Sequence, residues 1–182
     1  HLIQKVVSYL DVNSDDVVVE IGPGRGELTG YLLSKNLRKL IAVELDTRLC
    51  EKLRQRFTSD KLMVYNQDVR DFSWRDVYEK WGKFKVIGNI PYYLTGQLLR
   101  QLIPLPWWKT AVLTLQREVA ERLTAEPGSR VYGPLTLMVR VHAETQLLEH
   151  IPAEKFHPRP RVESTVVKFL RRDLPLVSPE LE

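Results

Sequence analysis

The sequence predicts an α/β fold: a doubly wound, mostly parallel sheet of about seven strands, the last two forming an antiparallel hairpin. Three observations carry that expectation. Short β-rich runs alternate with amphipathic segments, the pattern of strands joined by crossover helices. The earliest strand-like run, around Val17-Val18-Val19, is wholly apolar, as in sheets covered on both faces. Each chemically suggestive motif also follows directly after a strand, where ligands sit in such sheets.

Taken in order, residues 2–10 read as a helix with Leu2, Val6 and Leu10 on one face. A strand over 17–21 lies between Asn13-Ser14-Asp15 and a glycine loop. A helix over 27–34 and a buried strand over 40–43 follow. The helix over 47–57 is capped by Asp46 or Thr47 and carries Leu49, Leu53 and Phe57 at helical spacing. Strands over 62–65 and 84–88 come next. A helix over 95–103 is stopped by Pro104 and Pro106. Then come a strand over 110–115, a helix over 117–124 closed by Pro127-Gly128, and a helical apolar pattern over 134–143. Strands over 145–148 and 164–170 flank a proline-rich loop. The expected division is one domain over 1–172 and a linker or tail over 173–182.

A chain of 182 residues, 43% hydrophobic and 27% charged, can bury a substantial core and is not disordered by composition. Its apolar runs fall far short of the roughly 20 residues of a membrane span, and no charged-then-apolar leader opens it. The single Cys50 excludes an internal disulfide and fits a reducing compartment, so the cytoplasm or an organelle matrix is expected. The net charge of +4 says little about partners. Its distribution says more: Lys155, Arg159, Arg161, Lys168, Arg171 and Arg172 face only Glu154 and Glu163 between positions 151 and 172. That stretch suits a phosphate-contacting edge, with a solvated basic surface as the plainer alternative.

The first strand runs into Glu20-Ile21-Gly22-Pro23-Gly24-Arg25-Gly26-Glu27. Closely spaced glycines let the backbone approach a ligand. The spacing is not the G-x-G-x-x-G of a dinucleotide loop, and Glu27 at the helix start would repel a pyrophosphate. Glu20 instead suits a cofactor with cationic amino and sulfonium groups. Glu44, about 20 positions beyond the loop, is placed to accept hydrogen bonds from ribose hydroxyls, and Asp46 to cap the next helix. Asp68 ends the third strand, where its carboxylate can accept from an adenine amino group while Val69 packs nearby; a simple turn residue is the alternative.

The fourth strand leads into Asn89-Ile90-Pro91-Tyr92-Tyr93. An exocyclic base amine is a poor nucleophile because its lone pair is delocalised into the ring. It reacts when its hydrogens are held so that the nitrogen can pyramidalise. The Asn89 side-chain oxygen and the Ile90 or Pro91 carbonyl can supply those acceptors, and Tyr92 a stacking face worth about 1–3 kcal/mol per base. Positioning is then the main source of rate. A proline turn with surface tyrosines is the alternative.

These motifs, with Leu115-Gln-Arg-Glu-Val-Ala-Glu-Arg-Leu123 and Phe156-His-Pro-Arg-Pro-Arg-Val162, resemble the KsgA-type ribosomal RNA adenine dimethyltransferases over nearly the whole chain. The resemblance implies a Rossmann-like class I methyltransferase fold. It implies S-adenosylmethionine as cofactor, S-adenosylhomocysteine as product, no metal, and dimethylation of adenines in small-subunit ribosomal RNA during ribosome biogenesis. The cofactor site would comprise Glu20, Gly22, Gly24, Glu44, Leu45, Asp68, Val69 and Asn89. Asn89 and Pro91 would hold the target amine, and Tyr92 and Phe156 would sandwich the adenine, with a buried core Phe as the alternative for Phe156. Beside Phe156, Arg159 and Arg161 put phosphate-seeking charge on a stiff loop, and Arg117 is a further candidate for RNA contact, with a merely solvated helix-surface arginine as its alternative. A monomer acting on the small-subunit precursor is expected.

The Erm type, acting on large-subunit RNA, is the competitor within the family. Arg117-Glu-Val-Ala-Glu-Arg-Leu and Pro127-Gly-Ser-Arg-Val-Tyr-Gly133 resemble the KsgA type more. A non-catalytic RNA-binding or transcription-factor relative and an NAD-dependent oxidoreductase are the further alternatives. Family members carry a Gln-rich aromatic segment before the first helix and a small basic helical domain at the end. With His1 and Glu182 as its ends, the chain is expected to be a fragment with weakened cofactor and RNA affinity.

Overall fold

The computed structural model describes residues 2–155 and 162–176. In chain order the elements are α1 (Leu2–Ser8), β1 (Val17–Ile21), α2 (Glu27–Leu33), β2 (Lys39–Glu44), α3 (Thr47–Arg56), β3 (Leu62–Asn66), α4 (Trp74–Trp81) and β4 (Phe84–Asn89). They continue with α5 (Thr95–Leu102), β5 (Trp108–Gln116), α6 (Arg117–Leu123), α7 (Pro134–His142), β6 (Ala143–Ile151) and β7 (Ser164–Arg171). The strands form one sheet in the order β3-β2-β1-β4-β5-β7-β6. β1 pairs in parallel with β2 and β4, and β2 with β3, whereas β6 and β7 are antiparallel. The doubly wound sheet with a closing hairpin is therefore what forms, and its strand order reverses at β1. Within the chain, contacts gather into two compact units, His1–Asn89 with Trp107–Val112 and Ile90–Pro106 with Leu113–Glu182. No described helix is long and apolar enough to cross a membrane.

In the first unit every residue of β1 is buried, which is why its sequence lacks polar alternation. α1 stops at Ser8, two residues short of expectation. The Tyr9 and Leu10 amides turn back to the Lys5 and Val7 carbonyls, and Asp11 takes a left-handed φ of 51°. Leu10 stays fully buried all the same. At the amino end of the sheet, Lys85 of β4 and Asp16, both almost completely buried, form an ion pair of 2.7 Å. The same Lys85 ammonium donates to the Asp11 carbonyl, so the charge is neither unpaired nor short of acceptors.

The sequence reading places no helix between the third and fourth strands, and the structure corrects it with α4, preceded by a 3-10 turn over Val69–Asp71. Parallel strands cannot be joined by a tight turn, so a crossover element was required here. Its apolar residues, Trp74, Val77, Tyr78 and Trp81, are spaced i, i+3, i+4, i+7, but bulky aromatics mask the stripe. The Ser73 hydroxyl caps the start by accepting from the Asp76 amide, and Gly82 with φ 81° ends the helix.

Gly26 opens α2 with φ 82°, and a Cβ there would stand 2.6 Å from the Phe57 ring and 2.7 Å from Leu53 of α3. Both the dihedral and the contact exclude a side chain. Gly26→Ala is expected to destabilise the fold by about 2 kcal/mol or more, from left-handed strain plus overpacking. Urea denaturation reads the change, and an unaltered midpoint would contradict this account of the loop.

In the second unit, α5 and α6 lie against α7, and α6 against β7. Leu98, Leu99, Leu102, Val139, Val166, Val167 and Phe169 are buried there. β6 runs well beyond the expected 145–148, because β7 pairs with it from Ala143↔Arg171 to Ile151↔Ser164 through a bulge between Leu147 and Glu149. Partner hydrogen bonds, not an apolar pattern, set that length; most of β6 is exposed or half-exposed.

Candidate active site

Strand register brings the expected residues of the first unit to one edge of the sheet. Ile21 pairs with Val43 on one flank and Gly88 on the other, and Glu44 pairs with Asn66. Glu20-Ile21-Gly22, Glu44, Asn66 and Asn89 thus end side by side, about 4.8 Å per strand apart. The glycine loop is tied to β2 at two points: the Gly22 amide donates to the Val43 carbonyl at 2.9 Å, and the Gly24 amide to Glu44 Oε2 at 3.0 Å. Its exposed face is bare. A Cβ on Gly22 would find its nearest atom, the Asn89 carbonyl, at 3.9 Å, and one on Gly24 would find only the Gly22 carbonyl at 4.0 Å.

Glu20 is completely buried at the end of an apolar strand. Its Oε2 accepts from the Thr29 hydroxyl at 2.7 Å, while Oε1 has no hydrogen-bond partner among the described residues. Burial pushes its carboxyl from 4.5 up to about 7, with the nearby Glu44 adding to the rise and the Thr29 hydrogen bonds opposing it. A buried acceptor left unsatisfied is costly to the fold, which marks it as a group held for something other than stability.

Glu44 is also buried, but fully engaged. Its Oε1 accepts from the Asp46 amide at 3.0 Å while Oε2 holds Gly24, so the carboxylate shapes the loop and retains one lone pair per oxygen. Leu45 beside it is 59% exposed, a large apolar side chain presented to solvent. Asp46 caps α3 by accepting from the Arg48 and Leu49 amides. Asp68 caps the 3-10 turn by accepting from the Arg70 amide at 2.9 Å, and the Arg70 guanidinium grips both its oxygens. Those hydrogen bonds from Arg70 hold the Asp68 carboxyl below its ordinary range. The turn-residue role weighed for Asp68 is therefore present in the structure. Val69 is buried next to it.

Asn89 ends β4 with its side chain exposed. In the second unit, the Ile90 amide donates to the Thr114 carbonyl at 3.1 Å. The Pro91 carbonyl accepts from the Leu94 amide at 2.9 Å and the Thr95 hydroxyl at 3.4 Å, which leaves it committed to the turn into α5. The half-buried Tyr92 donates its hydroxyl to the Val162 carbonyl at 3.3 Å, and Tyr93 is 78% exposed. Phe156, Arg159, Arg161 and the Lys155 side chain lie outside the described residues.

Arg117 starts α6 between two carboxylates, 2.8 Å from Glu121 and 2.8 Å from Glu163. The hydrogen bonds it donates to Glu121 and then Glu163 raise its pKa further, so its charge is compensated locally. Arg171 donates to the Ile103 carbonyl and Arg172 pairs with Glu144, so those members of the basic stretch have work inside the fold.

Two residues at this edge carried no role in the sequence. Thr29, buried on α2, holds Glu20, and a threonine in the first turn after a glycine loop was its only trace. Asn66 donates to the Glu44 and Leu45 carbonyls at 3.1 and 2.9 Å and accepts from Thr47, bracing the end of β2.

The comparisons with known proteins bear on this edge. A family model described as ribosomal RNA adenine dimethylase matches residues 1–181. A ribosomal RNA small subunit methyltransferase A from Alcanivorax borkumensis is 39% identical over 176 residues, covering 96% of this chain and 62% of that protein. Among solved structures, a dimethyladenosine transferase from Plasmodium falciparum superposes with a TM-score of 0.85 at 30% identity, covering 94% of this chain and 62% of that one. The 23S rRNA methyltransferase ErmE gives a TM-score of 0.85 at 27% identity, over 98% of this chain and 70% of that one. The chain spans about three fifths of the length of the first curated relatives it matches. The family model runs along practically the whole sequence and relatives match more than nine tenths of it, so the chain belongs to the ribosomal RNA adenine dimethylase family.

Proposed function

We propose that this chain carries the catalytic part of an enzyme that uses S-adenosylmethionine to dimethylate the exocyclic amine of adenines in small-subunit ribosomal RNA. It would act as a monomer on the subunit precursor in the cytoplasm. The observation that carries the reading is the edge itself: a bare glycine loop, a buried carboxylate with an open acceptor, and Asn89, set side by side on adjacent strands. The names of the curated relatives and of the dimethyladenosine transferase structure support it.

The residues present fit S-adenosylmethionine. Gly22 and Gly24 leave room for its amino-acid end, and Glu20 Oε1 is a free acceptor for an ammonium group. Glu44 keeps lone pairs for ribose hydroxyls, the exposed Leu45 offers apolar surface to a purine with the buried Val69 packing near Asp68, and Asp68 can accept from an amino group if Arg70 yields. When bound, the cofactor supplies a methyl group on a sulfonium. The chain's own task is to hold the target nitrogen. Asn89 Oδ1 and a main-chain carbonyl accept the two N–H hydrogens, which favours the pyramidal nitrogen. Because the Pro91 carbonyl is already engaged by Leu94 and Thr95, we assign the second acceptor to Ile90. Tyr92, braced by Val162, gives the base a fixed stacking face. The same reading assigns Phe156 to the base and Arg159 and Arg161 to flanking phosphates, all three outside the described residues.

The likeness to ErmE keeps a second substrate in view, the large-subunit RNA named in that structure. The deciding experiment titrates S-adenosylmethionine and NAD into the chain by calorimetry. It then follows transfer of a labelled methyl group to small- and large-subunit RNA that lacks dimethyladenine. Binding of S-adenosylmethionine alone, with label entering small-subunit RNA, is expected. No binding at millimolar S-adenosylmethionine, or preference for NAD, would overturn the reading; label confined to large-subunit RNA would favour the second substrate.

A further inference from the structure

The amino ends of β2, β3 and β4 form a face at the opposite end of the first unit's sheet. β2 and β4 have six residues each, so this face stands about 17 Å from the candidate active site along the strands. Trp81, the last residue of α4, is surrounded by cations: Arg38, Lys39 and Lys80 lie 5.5, 5.3 and 5.5 Å from its ring centroid. One i, i+3 ridge further along α4, Tyr78 stacks on Trp107 at 5.6 Å and 15°, and Arg75 sits 5.7 Å from the Trp107 ring. Arg38, Arg75 and Lys80 are exposed, and none of these four cations forms an ion pair among the described residues. The Arg38 guanidinium donates to the Trp81 carbonyl and the Lys39 ammonium to the Asp60 carbonyl. Asp76 and Glu79 share α4 with Arg75 and Lys80 but form no ion pair with this group among the described residues.

One aromatic ring attracts a cation to its face, yet three cations around one ring repel each other. The arrangement therefore concentrates positive potential that Asp76 and Glu79, which form no ion pair with the group among the described residues, do not pair off, and a polyanion is what relieves it. Rings interleaved with cations favour nucleic acid over an acidic protein, because phosphates meet the charges while bases or sugars meet the aromatic surface. We infer that the Arg38, Arg75, Lys80 and Trp81 face is a second RNA-binding surface, which grips the phosphate backbone of the substrate away from the site of chemistry. This rests on the proposed RNA substrate.

The test compares the chain with R38A/R75A/K80A and with the charge-keeping R38K/R75K/K80R. Binding of a small-subunit ribosomal RNA stem–loop is measured over a range of salt concentrations, with S-adenosylmethionine binding measured alongside. The alanine variant is expected to lose about tenfold in RNA affinity at low salt and about 2 units of slope in log K against log salt, one fraction per lost phosphate contact. It should bind S-adenosylmethionine like the parent, and the charge-keeping variant should recover the slope. Parental RNA affinity and slope in the alanine variant would overturn the inference, as would failure of the parent to bind RNA. Loss of poly-glutamate binding with RNA binding intact would also overturn it, and would assign the face to an acidic protein. A wrong methyl-transfer reading shows separately, as absent S-adenosylmethionine binding by the parent.

Discussion

Asn89→Ala is expected to lower kcat for methyl transfer by about 10²–10³-fold, the range found when one positioned polar group is removed from a transition-state site. The side chain is exposed at the end of β4. The Pro91 carbonyl is already engaged by Leu94 and Thr95. Under the proposed chemistry, losing Asn89 Oδ1 would leave the Ile90 carbonyl as the sole acceptor for two N–H hydrogens, so the amine would stay planar and conjugated. The effect should fall on kcat more than on KM, because the base still stacks on Tyr92. Folding should be spared, since the Asn89 side chain is exposed. Asn89→Asp keeps the acceptor oxygens and is expected to retain part of the rate. Label transfer to small-subunit RNA under saturating S-adenosylmethionine measures both variants, and a parental rate for Asn89→Ala would sink the proposed chemistry.

Much of this edge could be read from residue order, because parallel sheets put ligands at strand ends and each strand announced itself by a short apolar run. That logic alone puts Glu20, Glu44 and Asn89 at strand ends, where register sets them on adjacent strands, whereas Asp68 lies two residues beyond β3 as the cap of the 3-10 turn. What stayed hidden depended on contacts between distant residues. α4 was missed because Trp74, Tyr78 and Trp81 read as irregular aromatics until they packed, Trp74 edge-on to Phe72 and stacked with Phe84. Gly26 looked like a third member of the ligand loop, yet Phe57 and Leu53, some thirty residues on, explain it by packing. The compensation of Arg117 by Glu163 spans 46 positions and leaves no local trace. The single open oxygen of Glu20 is likewise a property of the folded chain, since nothing in its neighbours predicts that Thr29 would satisfy only the other one.

Glu20→Gln is expected to separate cofactor binding from stability. With the carboxyl raised from 4.5 to about 7, the native chain holds a proton that the unfolded chain has released between those two values. Stability must then fall as pH rises through that window and level off above it, because the unfolded state binds fewer protons. At 1.36 kcal/mol per unit the shift corresponds to about 3 kcal/mol, all of it an order-of-magnitude cost of carrying a buried charge at pH 8. Glutamine keeps the acceptor for the Thr29 hydroxyl and never ionises, so the variant should lose this slope between about pH 4.5 and 7. Its amide donor replaces the open Oε1, and the unmet hydrogen bond offsets part of the gain. At pH 8 S-adenosylmethionine binding should weaken by at least tenfold, on the order of 1.4 kcal/mol, since a carboxylate facing an ammonium is replaced by a neutral donor. Urea midpoints across pH and calorimetry at pH 8 read the two effects independently. A variant with the parental pH slope would show that Glu20 is not the titrating group. Parental cofactor affinity would show that its open oxygen does not face the ligand.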